Sequence, residues 1–367
     1  MDWLVLLRLL SCSLGVIVGY LLLTKPVLFG SSARILLLFI CSCAMTAIFS
    51  RYPTAVLGYS ILLFGAGMLL TGMVYSSPNK ASLIKIEQVW FIIISLSVVK
   101  DAIISMLLLN DVGGENRLGT SSTHPNQLSF LAGILFWLSF RNREQKYALI
   151  YWTLRILMVF IIIKAQSRSS LLAFIVGGVS FLTLRYLSDY RKVITILCLI
   201  GALSSSLGIL YSLDTGWGDP VMNYLKRGQE KKEIISLTGR TQLWKNAIKE
   251  AIEKPFFGHG YGVSRLFGKT LGDDQEQAAH LHNEFVEVFF TTGLFGLIPF
   301  LFMILRYAKW MTSFQRLSEK YGRYYAIHAI CLLMMLLATA FFEPRLGGRL
   351  TEIHPLFYLY LITLDKK

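Results

Sequence analysis

Charge is scarce in this chain. Asp, Glu, Lys and Arg supply 16% of its 367 residues, where a soluble domain carries about 25%. Hydrophobic residues fill the gap at 54%, gathered into repeated runs of about 18 residues or more, each closed by charges. That pattern excludes an ordinary soluble domain and points to a polytopic membrane protein. Acidic groups are scarcer than basic ones, 22 against 36, for a net charge of +14. In a soluble chain such an excess would suggest nucleic acid. Here Lys and Arg sit mainly in short connections between apolar runs, as the positive-inside rule requires, so membrane orientation explains the excess and no nucleic-acid partner is expected. Cysteine is equally uninformative: Cys12, Cys41, Cys43, Cys198 and Cys331 all fall in apolar runs, with no CxxC or Cys/His metal spacing. This excludes a disulfide framework and a zinc site. No fixed-period repeat is visible.

What is present is a series of eleven candidate spans, about 3–23, 33–50, 54–75, 86–109, 126–140, 147–163, 169–187, 193–213, 284–305, 324–342 and 350–364. The expected fold class is therefore all-α, a polytopic transmembrane helical bundle of about 11–12 spans. The first run lacks a basic n-region and a cleavage site, so it reads as a retained helix, with a signal anchor as the alternative. Three organisational blocks follow: N-terminal helices over 1–213, one large extracytoplasmic loop over 214–283, and C-terminal helices over 284–367. Alternating spans place Arg141, Arg143, Lys146, Arg185, Arg191, Lys192, the cluster Arg306 to Arg323, and Lys366-Lys367 on one side, the cytoplasmic one. The opposite side holds 110–125, 164–168, 214–283 and 343–349, and the same count puts the N-terminus outside.

Segment 214–283 carries ten Lys/Arg and nine Asp/Glu, a solvated and nearly neutral stretch. Within it "TGRTQLWKNAIKEAIEKP" has helix signals: Thr238 as N-cap, an apolar stripe of Trp244, Ile248, Ala251 and Ile252, and Pro255 as a stop. Such a helix packs on the membrane domain or lies along the lipid interface. "GHGYG", 258–262, follows as a tight loop.

The unusual polar residues gather on the outer side: Arg117 and His124 in "NRLGTSSTHPNQ", Arg168 in "KAQSRSS", Arg240, His259, His280 and His282 from the long segment, and Glu343, Arg345 and Arg349 in "FFEPRLGGR". Several have plain structural readings. Arg117, Arg345 and Arg349 could bind lipid headgroups or snorkel. His259 could be a turn residue and His328 a hydrogen-bonded helix contact. Asp273-Asp274 reads as an acidic loop, and His124-Pro125-Asn126 could cap a helix through Asn126. Arg168 goes against the orientation bias, and charge at membrane depth usually faces a polar cavity. Guanidinium groups suit phosphate oxygens, so Arg168 and Arg240 facing one cavity would make a diphosphate site and neutralise a departing diphosphate. His280 and His282, two apart, would point about 200° apart on one helix. One can then face the cavity as a base while the other packs or caps.

"HNEFVEVFFTTGLFG" has His282, Asn283, nine residues, Gly293 and then Gly296. In this it resembles the signature of the O-antigen ligase and Wzy-type polysaccharide polymerase superfamily. "GRTQLWKNAIKEAIEKPFFGHGYG" is similar to the family's R-x3-W, Pro, G-x-G block, and "SRSSLLAFIVG" to its other arginine motif. The resemblance covers 165–300. It implies a GT-C-like, metal-independent membrane glycosyltransferase without cofactor. The donor would be an undecaprenyl-diphosphate-linked glycan, and the acceptor a second glycan or lipid A–core. Arg168 and Arg240 would bind the donor diphosphate and His282 would be the catalytic base, with His280, Asn283, Arg117, His124 and Arg345 in support. Further expected partners are membrane lipids, a flippase and a chain-length regulator, at the outer face of the cytoplasmic membrane. Polymerisation of lipid-linked repeats is the leading expectation, because "RLGTSSTHPNQLSFLAG" resembles exopolysaccharide polymerases. Ligation to lipid A–core is the alternative within the class. A lipid-linked glycan transporter is the alternative outside it, disfavoured by the lack of two similar halves.

Overall fold

The computed structural model describes residues 14–21, 30–77, 79–108, 118–119, 123–140, 147–187, 191–192, 196, 240–268, 271, 281–348 and 350–364. Among these, every regular element is helical: α1 (Ser31–Met45, continued by a 3-10 turn, Thr46–Phe49), α2 (Pro53–Ser76), α3 (Lys80–Leu108), α4 (Pro125–Leu138), α5 (Ala148–Ala165), α6 (Arg168–Tyr186), α7 (Arg240–Glu253), α8 (Glu284–Thr312), α9 (Phe314–Tyr321), α10 (Arg323–Thr339) and α11 (His354–Thr363). The protein is thus an all-α polytopic membrane protein. Six of the described helices are long and apolar enough to cross a bilayer: α1 with its turn, α2, α3, α5, α6 and α8. The expected spans at 126–140 and 350–364 correspond to α4 and α11, of 14 and 10 residues, shorter than the ~20 that a crossing needs. The expected span 193–213 lies outside the described residues, and that at 3–23 is described only over 14–21.

The chain forms two compact units, Met1–Trp90 with Arg240–Trp310 and Thr339–Lys367, and Phe91–Gly239 with Met311–Ala338. In the first, α1 and α2 pack together and α11 packs on both. Every residue of α11 is buried, as suits a helix apolar on all sides. Its carbonyl at Tyr360 accepts from Trp310 Nε1 at 3.1 Å, and the Tyr360 hydroxyl donates to buried Glu87 of α3.

Helix α8 is broken at Gly293, whose φ of 59° and ψ of −162° interrupt it. The segment following α7 fills the break. His259 N–H donates to Phe290 O at 2.9 Å and Gly260 N–H to Thr291 O at 2.8 Å. On the other side of the gap, Leu294 N–H donates to Pro255 O at 2.8 Å and Phe295 N–H to Phe256 O at 3.0 Å. Backbone groups freed in an apolar setting must be satisfied internally, and these four bonds do so. A Cβ on Gly293 would meet the backbone of Phe256 and Phe257. The kink lies at Gly293, while Pro299 further on stays within the helix. It leaves an arm, 284–292, of about 14 Å and a remainder, 294–312, of about 28 Å. The remainder alone matches the hydrocarbon thickness. The nine-residue spacing of the signature is therefore the length of a separate helical arm, where a single span from 284 had been expected.

In the second unit α4 packs between α5 and α6. Buried Arg155 of α5 caps the end of α4, with Nε 2.8 Å from Ser139 Oγ, Nη2 3.2 Å from Ser139 O, and its guanidinium 3.8 Å from the Phe140 ring centroid. Helix α3 runs unbroken through Lys100-Asp101. Asp101 is buried, ion-paired with Lys100 at 3.0 Å and accepting from Thr123 Oγ1 at 2.7 Å. His328 contacts Phe140 O at 3.0 Å, Nε2–H donating to the carbonyl.

Candidate active site

In the first unit three distant pieces of chain meet: the start of α7, the residues before α8, and the segment between α10 and α11. His282 is not on a helix, as the two-apart spacing with His280 had suggested. It precedes α8 with φ 51°, a left-handed conformation that costs a non-glycine residue about 1–2 kcal/mol. Its neighbours enforce this. Leu281 N–H donates to Glu287 Oε2 at 3.0 Å, while Leu281 O accepts from Trp244 Nε1 at 2.7 Å. Glu284 N–H donates to Ala340 O at 2.7 Å. Asn283 is the N-cap of α8, its Oδ1 accepting from Phe285 and Val286 N–H at 3.0 and 3.1 Å. Capping therefore falls to the asparagine and not to a histidine. His280, Arg117 and Arg349 lie outside the described residues.

His282 Nδ1 lies 3.3 Å from Glu343 Oε1, and Arg240 Nη2 lies 3.6 Å from the same oxygen. Arg240 Nη1 donates to Phe342 O at 3.0 Å. A carboxylate can only accept, so Nδ1 carries the proton of the neutral imidazole and Nε2 keeps its lone pair. The carboxylate thereby orients a base. Burial lowers the Arg240 pKa, and the facing Glu343 opposes that shift.

The Arg-x3-Trp spacing acquires a geometric meaning. Arg240 and Trp244, one turn apart on α7, hold the Glu343 segment and the backbone at Leu281 respectively. The face that α7 turns inward also includes Ala247 and Ala251, both fully buried, while Ile248 and Ile252, expected in the packing stripe, are 41% and 63% exposed. Small alanines let α7 approach closely. Ile248, Ile252 and Phe256 then form an exposed apolar line flanked by exposed Lys245 and Lys249, an arrangement suited to a lipid interface. Thr238, the expected N-cap, is outside the described residues.

Arg345 does not reach lipid or snorkel: it is 6% exposed. Its N–H, with those of Leu346 and Gly347, donates to the Glu284 carboxylate, at 2.6 Å for Arg345 and 3.1 Å for Leu346. Glu284, on the first turn of α8, thus fixes the segment that carries Glu343. His354 supports that segment from below, Nε2–H donating to Leu346 O at 3.1 Å while Nδ1 accepts from Thr351 N–H at 3.0 Å. His259 is a packing residue. Its ring stacks on Phe290, centroids 4.6 Å apart, and its Nε2–H donates to Glu250 O at 3.0 Å. Burial there holds its pKa below the usual histidine value.

Arg168 belongs to the second unit and is the first residue of α6, behind the N-cap Ser167, whose Oγ accepts from Ser170 N–H at 3.3 Å. Gln166 makes the tight turn with φ 49°. Ser170 Oγ donates to Asn126 O at 2.8 Å, which brings the start of α4 beside the start of α6. His124 itself, rather than Asn126, caps α4, its Nδ1 accepting from Asn126 N–H at 3.2 Å.

Sequence reasoning had noted Glu343 among the polar residues but gave it no role. Glu284 and Glu287 escaped it altogether, although two acids on the first turn of an apolar helix were an available signal.

A sequence profile described as O-antigen ligase matches residues 153–301. A protein of Rickettsia conorii with the provisional name polysaccharide ligase is 24% identical over 209 residues, which are 53% of this chain and 46% of that relative. Both descriptions favour ligation over the polymerase expectation. The matched stretch contains Arg168, Arg240, His282 and both signature glycines, and over it the chain is similar to the O-antigen ligase family.

Proposed function

We propose that this chain is a ligase-type glycosyltransferase that moves a glycan from a polyprenyl-diphosphate carrier to an acceptor hydroxyl at the outer face of the cytoplasmic membrane. The observation that carries this reading is the Arg240–Glu343–His282 cluster: a guanidinium and an oriented imidazole on one buried carboxylate, with His282 held in a strained backbone conformation. Nε2 of His282 removes the proton from the acceptor hydroxyl. The oxygen attacks the anomeric carbon, its new C–O bond forming as the bond to the carrier diphosphate breaks. The leaving diphosphate keeps that electron pair, and its charge is met by Arg240, while a diphosphate role for Arg168 rests on the sequence resemblance alone. Displacement at the carbon inverts its configuration.

Transport is less well supported. In transporters the ends of broken helices face the substrate path, whereas here the groups freed at Gly293 are bonded by residues 255–260. Within the transferase class, the family description and the relative's name favour a lipid A–core type of acceptor over a second lipid-linked repeat. The test is a reconstituted assay with an undecaprenyl-diphosphate-linked repeat, with and without lipid A–core, for wild type and His282→Ala. Product only with lipid A–core supports ligation. A ladder from the lipid-linked substrate alone supports polymerisation, and undiminished turnover in His282→Ala refutes the base assignment.

A further inference from the structure

Helix α6 is long and apolar enough to cross a bilayer, so its last turn stands at a membrane surface. One face of it is exposed. Leu172, Ile175, Leu182 and Tyr186 fall within about 80° of arc at 100° per residue. This apolar stripe ends beside Arg185, on the last turn. The guanidinium of Arg185 stands 5.7 Å from the Tyr186 ring centroid and 5.9 Å from that of Tyr324. Arg323, the first residue of α10, binds the same helix end, its Nη2 donating to Leu184 O at 3.1 Å and to Arg185 O at 2.5 Å. These bonds cover the negative end of the α6 dipole, which would otherwise repel an anion.

Helix α9 leads into this corner, joined to α10 through Gly322. Its buried face is Phe314, Leu317 and Tyr321, and its outer face carries exposed Arg316 and Lys320, one turn apart. The Lys320 ammonium lies 5.0 Å from the Tyr321 ring, whose centroid is 5.8 Å from that of Tyr325 on α10. Burial and the charge of Arg316 hold the Lys320 pKa below the usual lysine value, so the two cations act on each other. Over 314–323 three cations stand against one acid, Glu319.

We propose that this corner of the second unit binds an anionic phospholipid, its phosphate against Arg185 and the α9 cations and one acyl chain along Leu172, Ile175 and Leu182 of α6. A zwitterionic lipid fits the stripe equally well but brings no net charge for the cations to meet. A free phosphate fits the cations but leaves the stripe uncovered. An anionic phospholipid matches both, and each basic residue near an anionic surface adds about fivefold in attraction. The tyrosines suit the headgroup level at which such a lipid would stand. The inference does not rest on the proposed transfer reaction.

The experiment takes the full chain from bilayer discs of equimolar phosphatidylglycerol and phosphatidylcholine with the same acyl chains. Native mass spectrometry then reads the ratio of the two as the first lipid retained. Wild type should favour phosphatidylglycerol by about tenfold, and Arg185→Gln/Arg316→Gln by about twofold or less. No preference in wild type, or an undiminished one in the double variant, overturns the proposal. Lys85→Gln, which removes an exposed cation of α3 in the first unit, should keep the wild-type ratio. An equal fall there would mean diffuse surface charge and overturns a built site. Soluble glycerol 1-phosphate separates the lipid from its headgroup: failure to displace the retained lipid supports the proposal, and displacement makes this a free-phosphate site and overturns it. Should the double variant not insert, Arg316→Gln alone is read in the same way. A fall of about twofold or more is then expected, and an unchanged ratio overturns the proposal.

Discussion

Replacing Gly293 by alanine tests whether the break in α8 holds the site together. The φ of 59° and ψ of −162° at this residue lie where side chains other than glycine are almost never found, a strain of about 1–3 kcal/mol. The new Cβ would stand 2.7 Å from Phe257 N, with the carbonyl of Phe256 closer still. That backbone cannot simply move aside, since Pro255 O and Phe256 O accept from Leu294 and Phe295, and His259 and Gly260 donate to Phe290 and Thr291. Losing two of the four bonds would cost about 1–3 kcal/mol more. The expected loss is thus about 2–6 kcal/mol, seen as a lowered thermal midpoint in detergent and faster proteolysis within 255–262. Gly58→Ala, at a helical position where a Cβ meets nothing within 4 Å, is the control and should be neutral or slightly stabilising. A Gly293→Ala protein within about 1 kcal/mol of wild type would refute the argument that the break is enforced.

Other perturbations separate chemistry from folding. His282→Gly relieves a left-handed residue while removing the base, so stability should stay within about 1 kcal/mol of wild type as turnover falls about a hundredfold or more; loss of both together would make His282 a folding residue. Arg168→Lys keeps the charge but loses the guanidinium fork, and a transfer assay should show at least about tenfold loss; near-normal turnover counts against bidentate diphosphate binding. His259 should make stability depend on acid. Its folded pKa is lowered by burial, so its contribution is complete above the unfolded value of about 6.5 and is lost as pH falls from there toward the folded value. Thermal midpoints between pH 7.5 and 5 should fall more steeply in wild type than in His259→Phe, which keeps the stack on Phe290; parallel curves would rule His259 out as the source.

Which parts of this were legible in the sequence follows from the range of the interactions. Hydropathy depends on local composition, so the membrane class and most spans could be read directly. It leaves α4 and α11 as short apolar runs, because an apolar run does not say whether lipid or protein surrounds it. The Arg240, Trp244, His282 and Gly293 spacings were visible as a pattern, but their cause was not. Arg240 and Trp244 are one turn apart because they grip two different segments, and His282 and Gly293 are separated by one helical arm. Contacts across 61 residues, such as Glu343 with His282 and Glu284 with Arg345, leave no periodic trace at all.

The acids carry the strongest consequence for the site. Glu284, Glu287 and Glu343 are all buried, and a buried carboxylate is tolerated only with partners that offset its desolvation. Glu284 and Glu287 meet backbone N–H groups, which cannot leave without unfolding the local chain. Glu343 differs, because besides acting on buried Arg345 it faces a guanidinium and an imidazole on partly exposed side chains. Two of the three acids therefore fix geometry whatever is bound, and the third has an environment that a ligand can change. The same division predicts that Glu284→Gln harms stability more than it alters the pH dependence of transfer, with Glu343→Gln showing the reverse order; equal effects of the two on both readouts would dissolve the distinction.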